Sequence, residues 1–328
     1  MTVPLVDPFG RTVRDLRISV TDRCNFRCGY CMPAEGMTWL PRQEVLTFEE
    51  IERIARVCVE RYGFTGIRLT GGEPTVRAHL PMLIEKLAAL GVDLSMTTNG
   101  TSLALIAADL RRAGLQRINV SLDSLRADRF RDITRRDALG DVLDGIDAAL
   151  AAGFDPVKVN CVLVRSVNDD EILDFARFGR DRGVVVRFIE FMPLDAQGEW
   201  TADGVVTYDE IVSTISADLP LRPSDQRGNQ PAERFFYADG RGEIGVVPSV
   251  TRSFCSSCDR VRLTADGQFR NCLFAVRETD LRAVLRGGGS DDDLAAALEA
   301  EVGRKWAGHS IGQVTFVRPG RSMSQIGG

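Results

Sequence analysis

Histidine is nearly absent. His79 and His309 are the only two in 328 residues, so a metal centre built on several imidazoles is excluded. Lysine is almost as scarce: of 41 basic residues only Lys86, Lys158 and Lys305 are lysine. No stretch approaches the roughly 20 consecutive apolar residues of a membrane-spanning helix. The opening MTVPLVDPFGRTVRDLR lacks the apolar segment of a signal peptide. The net charge of −5 lacks the positive excess that general binding to nucleic acid or an anionic membrane surface requires. These absences predict a cytoplasmic protein with neither nucleic acid nor membrane as partner, in a compartment where thiols stay reduced.

Cysteine, by contrast, is plentiful and clustered. Cys24, Cys28 and Cys31 fall within CNFRCGYC; Cys255, Cys258 and Cys272 form a second group; Cys58 and Cys161 stand alone among apolar neighbours and read as core thiols. Closely spaced cysteines in a reducing compartment indicate metal or redox chemistry. Zinc normally takes four ligands, and an iron–sulfur cluster held wholly by protein takes four thiolates. Three thiols leave one position for something else. The residues alone leave open a zinc loop completed by a distant ligand, more so at the second group, which has neither histidine near it in sequence.

From residue 14 to 192 strand-like and helix-like stretches alternate. The strands read RDLRISV (14–20), GIRLT (66–70), VDLSMTT (92–98), QRINVSL (116–122), PVKVNCV (156–162) and VVVRFIEF (184–191), with helical patterns near 48–60, 79–90, 102–113, 139–152 and 169–182. Such alternation predicts a parallel sheet with helices outside. Within the first five strands one face is apolar and the other polar. Arg17, Arg68, Thr97, Ser121 and Lys158 share the polar side. A doubly wound sheet is apolar on both faces, so the pattern predicts a partial (β/α)6 TIM-like barrel of parallel strands whose lumen takes a polar ligand. A C-terminal α+β segment closes its open end. We expect a barrel domain over 1–200 and the segment over 201–328. In the segment, 233–247 and 259–272 read as hairpins turning at Asp239-Gly240 and Asp266-Gly267. Helices follow near 277–285 and 291–305, the second capped by Ser290. Arg260 and Arg262 alternate onto one face of a strand just past Cys258. Gly240-x-Gly-x-x-Gly245 opens no helix and is rejected as a dinucleotide fingerprint, and no GxxxxGK[ST] phosphate loop exists.

CxxxCxxC directly after the first strand, followed by Gly71-Gly72-Glu73-Pro74 after the second, resembles the radical S-adenosylmethionine (SAM) enzymes. With the second cysteine triad, the chain is similar to one branch of them, the GTP 3′,8-cyclases of molybdenum cofactor biosynthesis. The likeness runs through TDRCNFRCGYCMP, IRLTGGEP, TTNG, INVSLDS, VKVN, RFIEFMP, EIGVVPS, FCSSCDRVRLT and NCLF to the terminal Gly327-Gly328. The resemblance implies two [4Fe-4S] clusters, one on Cys24, Cys28 and Cys31 and one on Cys255, Cys258 and Cys272. It implies SAM at the first open iron, against Tyr30, Gly71, Gly72, Glu73, Ser121 and Met192. It implies GTP against Arg17, Arg68, Thr97, Lys158, Arg260, Val261 and Arg262, with Arg17, Arg260 and Arg262 also catalytic, and guanine at the second open iron. The implied reaction is a lyase-type cyclisation: a 5′-deoxyadenosyl radical takes the ribose C3′ hydrogen and C3′ attacks guanine C8. Implied partners are an electron donor such as flavodoxin or ferredoxin, cyclic pyranopterin monophosphate synthase as product acceptor, and a second copy in a homodimer. The glycine tail is implied to reach the cavity. Two rivals are weighed: a peptide-modifying radical SAM enzyme with an auxiliary-cluster domain, which leaves the cationic lumen unexplained, and a non-catalytic iron–sulfur carrier, which needs neither GGEP nor that lumen.

Overall fold

The computed structural model describes residues 2–33, 35–195, 198, 200–225 and 228–327. Gly328, the last residue of the expected tail, lies outside them. The first half alternates as its hydrophobic pattern requires. In chain order come β1 (Asp15–Ser19), α1 (Phe48–Arg56), β2 (Gly66–Thr70), α2 (Leu80–Ala88), β3 (Asp93–Thr98), α3 (Leu103–Arg112), β4 (Arg117–Ser121), α4 (Ala127–Thr134), α5 (Leu139–Ala151), β5 (Val157–Leu163), α6 (Ile172–Arg182) and β6 (Val185–Glu190). β1 to β6 pair in parallel and in sequence. Leu16, Ile18, Ile67, Leu69, Leu94, Met96, Ile118, Val120, Val157 and Val159 form the outer apolar face and are buried under the helices. Cys58 and Cys161 belong to this core. α1 shows the local logic: Thr47 and Glu50 make a reciprocal capping box, and Ile51, Ile54 and Ala55 turn inward.

The second half contributes α7 (Tyr208–Asp218), β7 (Leu221–Pro223), β8 (Glu233–Tyr237), β9 (Glu243–Val247), β10 (Arg260–Leu263), β11 (Gln268–Arg270), β12 (Thr279–Asp280), α8 (Leu281–Arg286), α9 (Asp291–Val302) and α10 (Met323–Ile326). The sequence pattern predicts none of α4, α7 and α10, although Thr207 and Glu210 form a capping box at the start of α7. Both hairpins form at the expected turns, where Gly240 and Gly267 take φ of 78° and 81°. Ser290 caps α9 through the N–H of Asp293.

The hairpins do more than cover an end. β9 runs parallel beside β6 and β10 runs parallel beside β1, so each hairpin prolongs one edge of the sheet. The result is one open sheet of order β12-β11-β10-β1-β2-β3-β4-β5-β6-β9-β8-β7, which crosses residue 200 without interruption. Loops and the tail of the second half then lie over its polar face. Buried Glu190 fastens one of them. It accepts from the N–H groups of Tyr208 (2.9 Å), Val250 (2.7 Å) and Thr251 (2.8 Å) and from the Thr251 hydroxyl, tying the end of β6 to the loop that leads to Cys255.

Candidate active site

Strand register turns the alternating polar residues into rows. Arg262, Arg17, Arg68, Ser95 and Arg117 stand side by side on β10, β1, β2, β3 and β4. Above them run Thr97, Asn119 and Lys158, then Ser121, Asn160 and Arg187. Arg117 is answered by Asp93 (Nε to Oδ1, 2.8 Å). Arg17 is not answered in the same way: Asp15 lies 3.9 Å away, and the buried Nε atoms of Arg17 and Arg260 make no hydrogen bond among the described residues. Burial, and next the adjacent Arg68, pull the Arg17 guanidinium down to about 9. Burial likewise brings Arg68 and Arg187 to about 10 and Arg262 well below the ordinary range. Lys158 is brought to about 7 by burial and then by Arg187, Arg117 and Arg68; no carboxylate bonds it among the described residues. Guanidiniums stay protonated, so the rows form a standing positive field that a polyanion relieves.

The first triad sits in the loop after β1, and its neighbours clamp that loop. The N–H groups of Gly72 and Glu73 donate to the carbonyls of Thr21 and Arg23 (both 2.8 Å). A Cβ on Gly71 would lie 2.5 Å from the Thr21 oxygen, and one on Gly72 2.4 Å from the Arg23 oxygen. The glycines therefore admit the cysteine loop itself. With those donors engaged, what this stretch offers an amino group is carbonyl oxygen. Glu73, fully buried, takes the Thr75 N–H and hydroxyl, the Thr98 hydroxyl and the Asn99 N–H, bracing β2 against β3. Its carboxyl is pushed up by burial against those bonds. The end of α4 holds the other flank: Arg135 donates to the carbonyls of Arg27 (2.9 Å) and Met32 (3.3 Å). Tyr30, inside the triad, donates to Asp123 at the end of β4 (2.6 Å), and Asp123 also takes the Val162 N–H. Burial raises Asp123 to about 6, Cys24 to about 11 and Cys31 to about 12.

The second triad has a different setting. The short turn Cys255–Ser257 leads into β10, and Cys272 follows β11. Burial opposes ionisation of Cys255, yet hydrogen bonds from His309 and Ser253 bring it to about 6. Cys258 is lowered by Arg260 and Lys305 against the same burial. Segment 306–309 packs on Cys255 so closely that a Cβ on Gly308 would stand 3.0 Å from the Cys255 Cβ. His309, distant in sequence, is thus brought to the triad; its ring lies 5.2 Å from that of Phe274. Arg262 donates to the Gly327 carbonyl, and a Cβ on Gly327 would meet the hydroxyls of Thr70 (2.3 Å) and Ser19 (2.5 Å). The tail therefore threads into the cationic rows, while Ser324 hydrogen-bonds Cys31.

All six cysteines line one chamber, together with Arg17, Arg68, Thr97, Arg260, Arg262, Tyr30, Gly71, Gly72, Glu73, Ser121 and Met192. None of the six thiols is in a disulfide. Among the described residues no three His, Cys, Asp or Glu side chains converge on a single-ion position of the kind four close zinc ligands make. Soft thiol donors in threes, facing an enclosed space, fit iron–sulfur clusters. Lys158 does not line the chamber although it stands in the same row as Thr97, which does, and the Val261 side chain lies on the opposite face, fully buried in the core beside Leu16. The alternation of RVRL that turns Arg260 and Arg262 inward turns Val261 outward. Arg187, Asn160, Asp123, Phe254 and His309 line the chamber without having been singled out as site residues. For Arg187 the signal was present: in the sixth strand it alternates with the core residues Val186 and Phe188.

Two family models match the chain: the radical SAM superfamily over residues 18–179 and Molybdenum Cofactor Synthesis C over 184–311. A GTP 3′,8-cyclase of Mycolicibacterium smegmatis is 50% identical over 99% of this chain and 92% of its own. One of Streptomyces coelicolor is 48% identical over 99% and 96%. Among solved structures, Streptococcus suis SuiB bound to its precursor peptide SuiA superposes with a TM-score of 0.58 at 12% identity, covering 83% of this chain and 60% of that one. Methylornithine synthase superposes at 0.55 and 17%, covering 88% and 86%. At such identities the structural likeness speaks for the fold alone, whereas the sequence relatives extend over both cysteine triads and every row of the lumen. The chain belongs to the GTP 3′,8-cyclase family of radical SAM enzymes.

Proposed function

We propose that this chain converts GTP to (8S)-3′,8-cyclo-7,8-dihydroguanosine 5′-triphosphate in molybdenum cofactor biosynthesis, forming the bond between ribose C3′ and guanine C8. The observation that carries the reading is the coexistence, in one chamber, of two three-thiol sets and a field of buried cations, in which the Nε atoms of Arg17 and Arg260 make no hydrogen bond among the described residues and their carboxylates, Asp15 and Asp259, stand 3.9 and 3.7 Å away. Cys24, Cys28 and Cys31 would hold the first cluster and Cys255, Cys258 and Cys272 the second. With SAM bound, the first supplies a 5′-deoxyadenosyl radical able to take the C3′ hydrogen. Tyr30, the Gly71 and Gly72 carbonyls, Glu73, Ser121 and Met192 border the place for SAM; of these, Glu73 acts by bracing the loop. Arg17, Arg68, Arg260 and Arg262 grip the triphosphate beside Thr97, and Lys158 adds charge from farther along the Thr97 row. Fixing the phosphates orients the ribose, an effect that can be worth about 7–11 kcal/mol. Gly327 and the loops over the polar face keep water from the reacting carbon.

Reduced flavodoxin or ferredoxin as electron source, cyclic pyranopterin monophosphate synthase as product acceptor, a homodimer and a cytoplasmic location belong to the same proposal and rest on the family resemblance. No helix among the described residues is long and apolar enough to cross a membrane. The test is anaerobic: reconstitute with iron and sulfide, add SAM, a reductant and GTP, and follow 5′-deoxyadenosine together with loss of GTP. Cleavage of SAM that ignores GTP points to a peptide-modifying enzyme, and no cleavage points to an iron–sulfur carrier; either result overturns the reading.

A further inference from the structure

Behind the second triad, outside the chamber lining, lie two buried cations. Arg11, ion-paired to buried Asp7 (2.5 Å), donates to the carbonyls of Cys255 (2.6 Å), Ala307 (2.8 Å) and Trp306. Lys305 is only 4% exposed. Its ammonium donates to the carbonyls of Arg260 (2.7 Å) and Asn271 (2.5 Å). Arg260 stands two residues after Cys258, and Asn271 immediately precedes Cys272. Lys305 therefore joins the two strands that carry those cysteines, at the level of the cysteines. No carboxylate forms an ion pair with it among the described residues. Its ammonium thus sits against the residues that flank Cys258 and Cys272, and Asp7 is the carboxylate that acts on it. A buried ammonium with carbonyl partners only is costly to keep, and the cost is offset where thiolate-bound iron lies alongside. A neutral Gln or Met at this position would avoid that cost.

We propose that Lys305 is a positioning residue for the second iron centre: it pins Cys258 and Cys272 at a fixed spacing through the carbonyls of Arg260 and Asn271, and its charge makes that centre easier to reduce. Net charge around a cluster is one of the terms that set its potential. The inference rests on the reading that the second triad holds an iron–sulfur cluster.

The test uses the full chain with Cys24→Ala, Cys28→Ala and Cys31→Ala, so that only the second site loads. Iron per chain and the midpoint potential, read by spectroscopic titration, are compared for Lys305 and for Lys305→Met. The methionine is expected to disfavour reduction at least tenfold, a shift of 59 mV for one electron to more negative potential. Lys305→Gln, which keeps a donor and loses the charge, is expected to shift in the same direction and covers the case in which Met does not fold. Lys305→Arg is expected to stay within threefold of the parent. Loss of iron from Met and Gln with retention in Arg also supports the proposal. A potential in Met or Gln within twofold of the parent, at equal iron content, overturns it, as does an Arg variant that shifts as far as Gln. If the parent itself binds no iron, the cluster reading fails, and it fails independently of Lys305.

Discussion

Lys158 links the charge of the chamber to pH. Burial, and after it the cations of the neighbouring rows, hold its ammonium at about 7 against an ordinary 10.5. At pH 8 roughly one chain in ten then carries that proton. GTP brings about four negative charges to the adjacent rows and returns the group toward its ordinary value, so binding at pH 8 takes up ~0.9 proton per nucleotide. Affinity is expected to fall roughly ninefold from pH 8 to pH 9. The sign for stability without nucleotide runs the other way. Between about 7 and 10.5 the unfolded chain binds more protons than the folded one, so the contribution of Lys158 to stability rises with pH across that window. Below it the buried charge costs a few kcal/mol, at most about 5. Lys158→Met is therefore expected to be more stable than the parent at pH 7 and yet to bind GTP more weakly. Titration calorimetry of anaerobically reconstituted protein, in two buffers of different ionisation enthalpy at pH 8, counts the protons; thermal unfolding gives the stability. Equal proton uptake in parent and Lys158→Met, or a less stable variant at pH 7, would refute the reasoning.

Other expectations concern the clamps. Removing one partner of a buried charged contact costs about 2–5 kcal/mol, so Arg17→Ala, Arg260→Ala and Arg262→Ala should lower GTP conversion at least ~30-fold while lowering 5′-deoxyadenosine formation less; equal loss of both denies them the role of substrate clamps. In Gly72→Ala the methyl meets backbone oxygens of Asp22 and Arg23 at 2.5 and 2.4 Å. That overpacking should destabilise by about 1–3 kcal/mol and empty the first iron site before the second, and a fully iron-loaded variant would contradict it. Gly327→Ala places a methyl 2.3 Å from the Thr70 hydroxyl at a φ of 72°. The tail should leave the lumen, becoming open to proteolysis with thermal stability changed by less than about 1 kcal/mol, and a tail still protected counts against its seat there.

Some of this site is local enough to read from the chain. The period of two puts Arg17 and Arg68 opposite Leu16 and Ile67 whatever lies next to them, and cysteines three or four residues apart must share a loop. The turns at Gly240 and Gly267 follow equally from short-range backbone chemistry. The same alternation already denied Val261 a place in the lumen, and it marked Arg187. The T-x-x-E of Thr207 and Glu210 announced α7. What the sequence by itself determined is therefore which face a side chain takes and which donors travel together. Tertiary structure decided what stands beside what. Register between β10 and β1, whose residues lie more than 240 positions apart in sequence, sets Arg262 against Arg17. Chain returns of similar length bring Arg11 behind the second triad and Gly327 to Thr70, and returns of 34 and 45 residues bring Lys305 there. Lys158 has three arginines acting on it ahead of one carboxylate, Glu243, for the same reason. Dihedral preferences and side-chain period act over a few residues, whereas a charge field and a metal site are sums over neighbours that strand pairing and packing assemble from the whole chain.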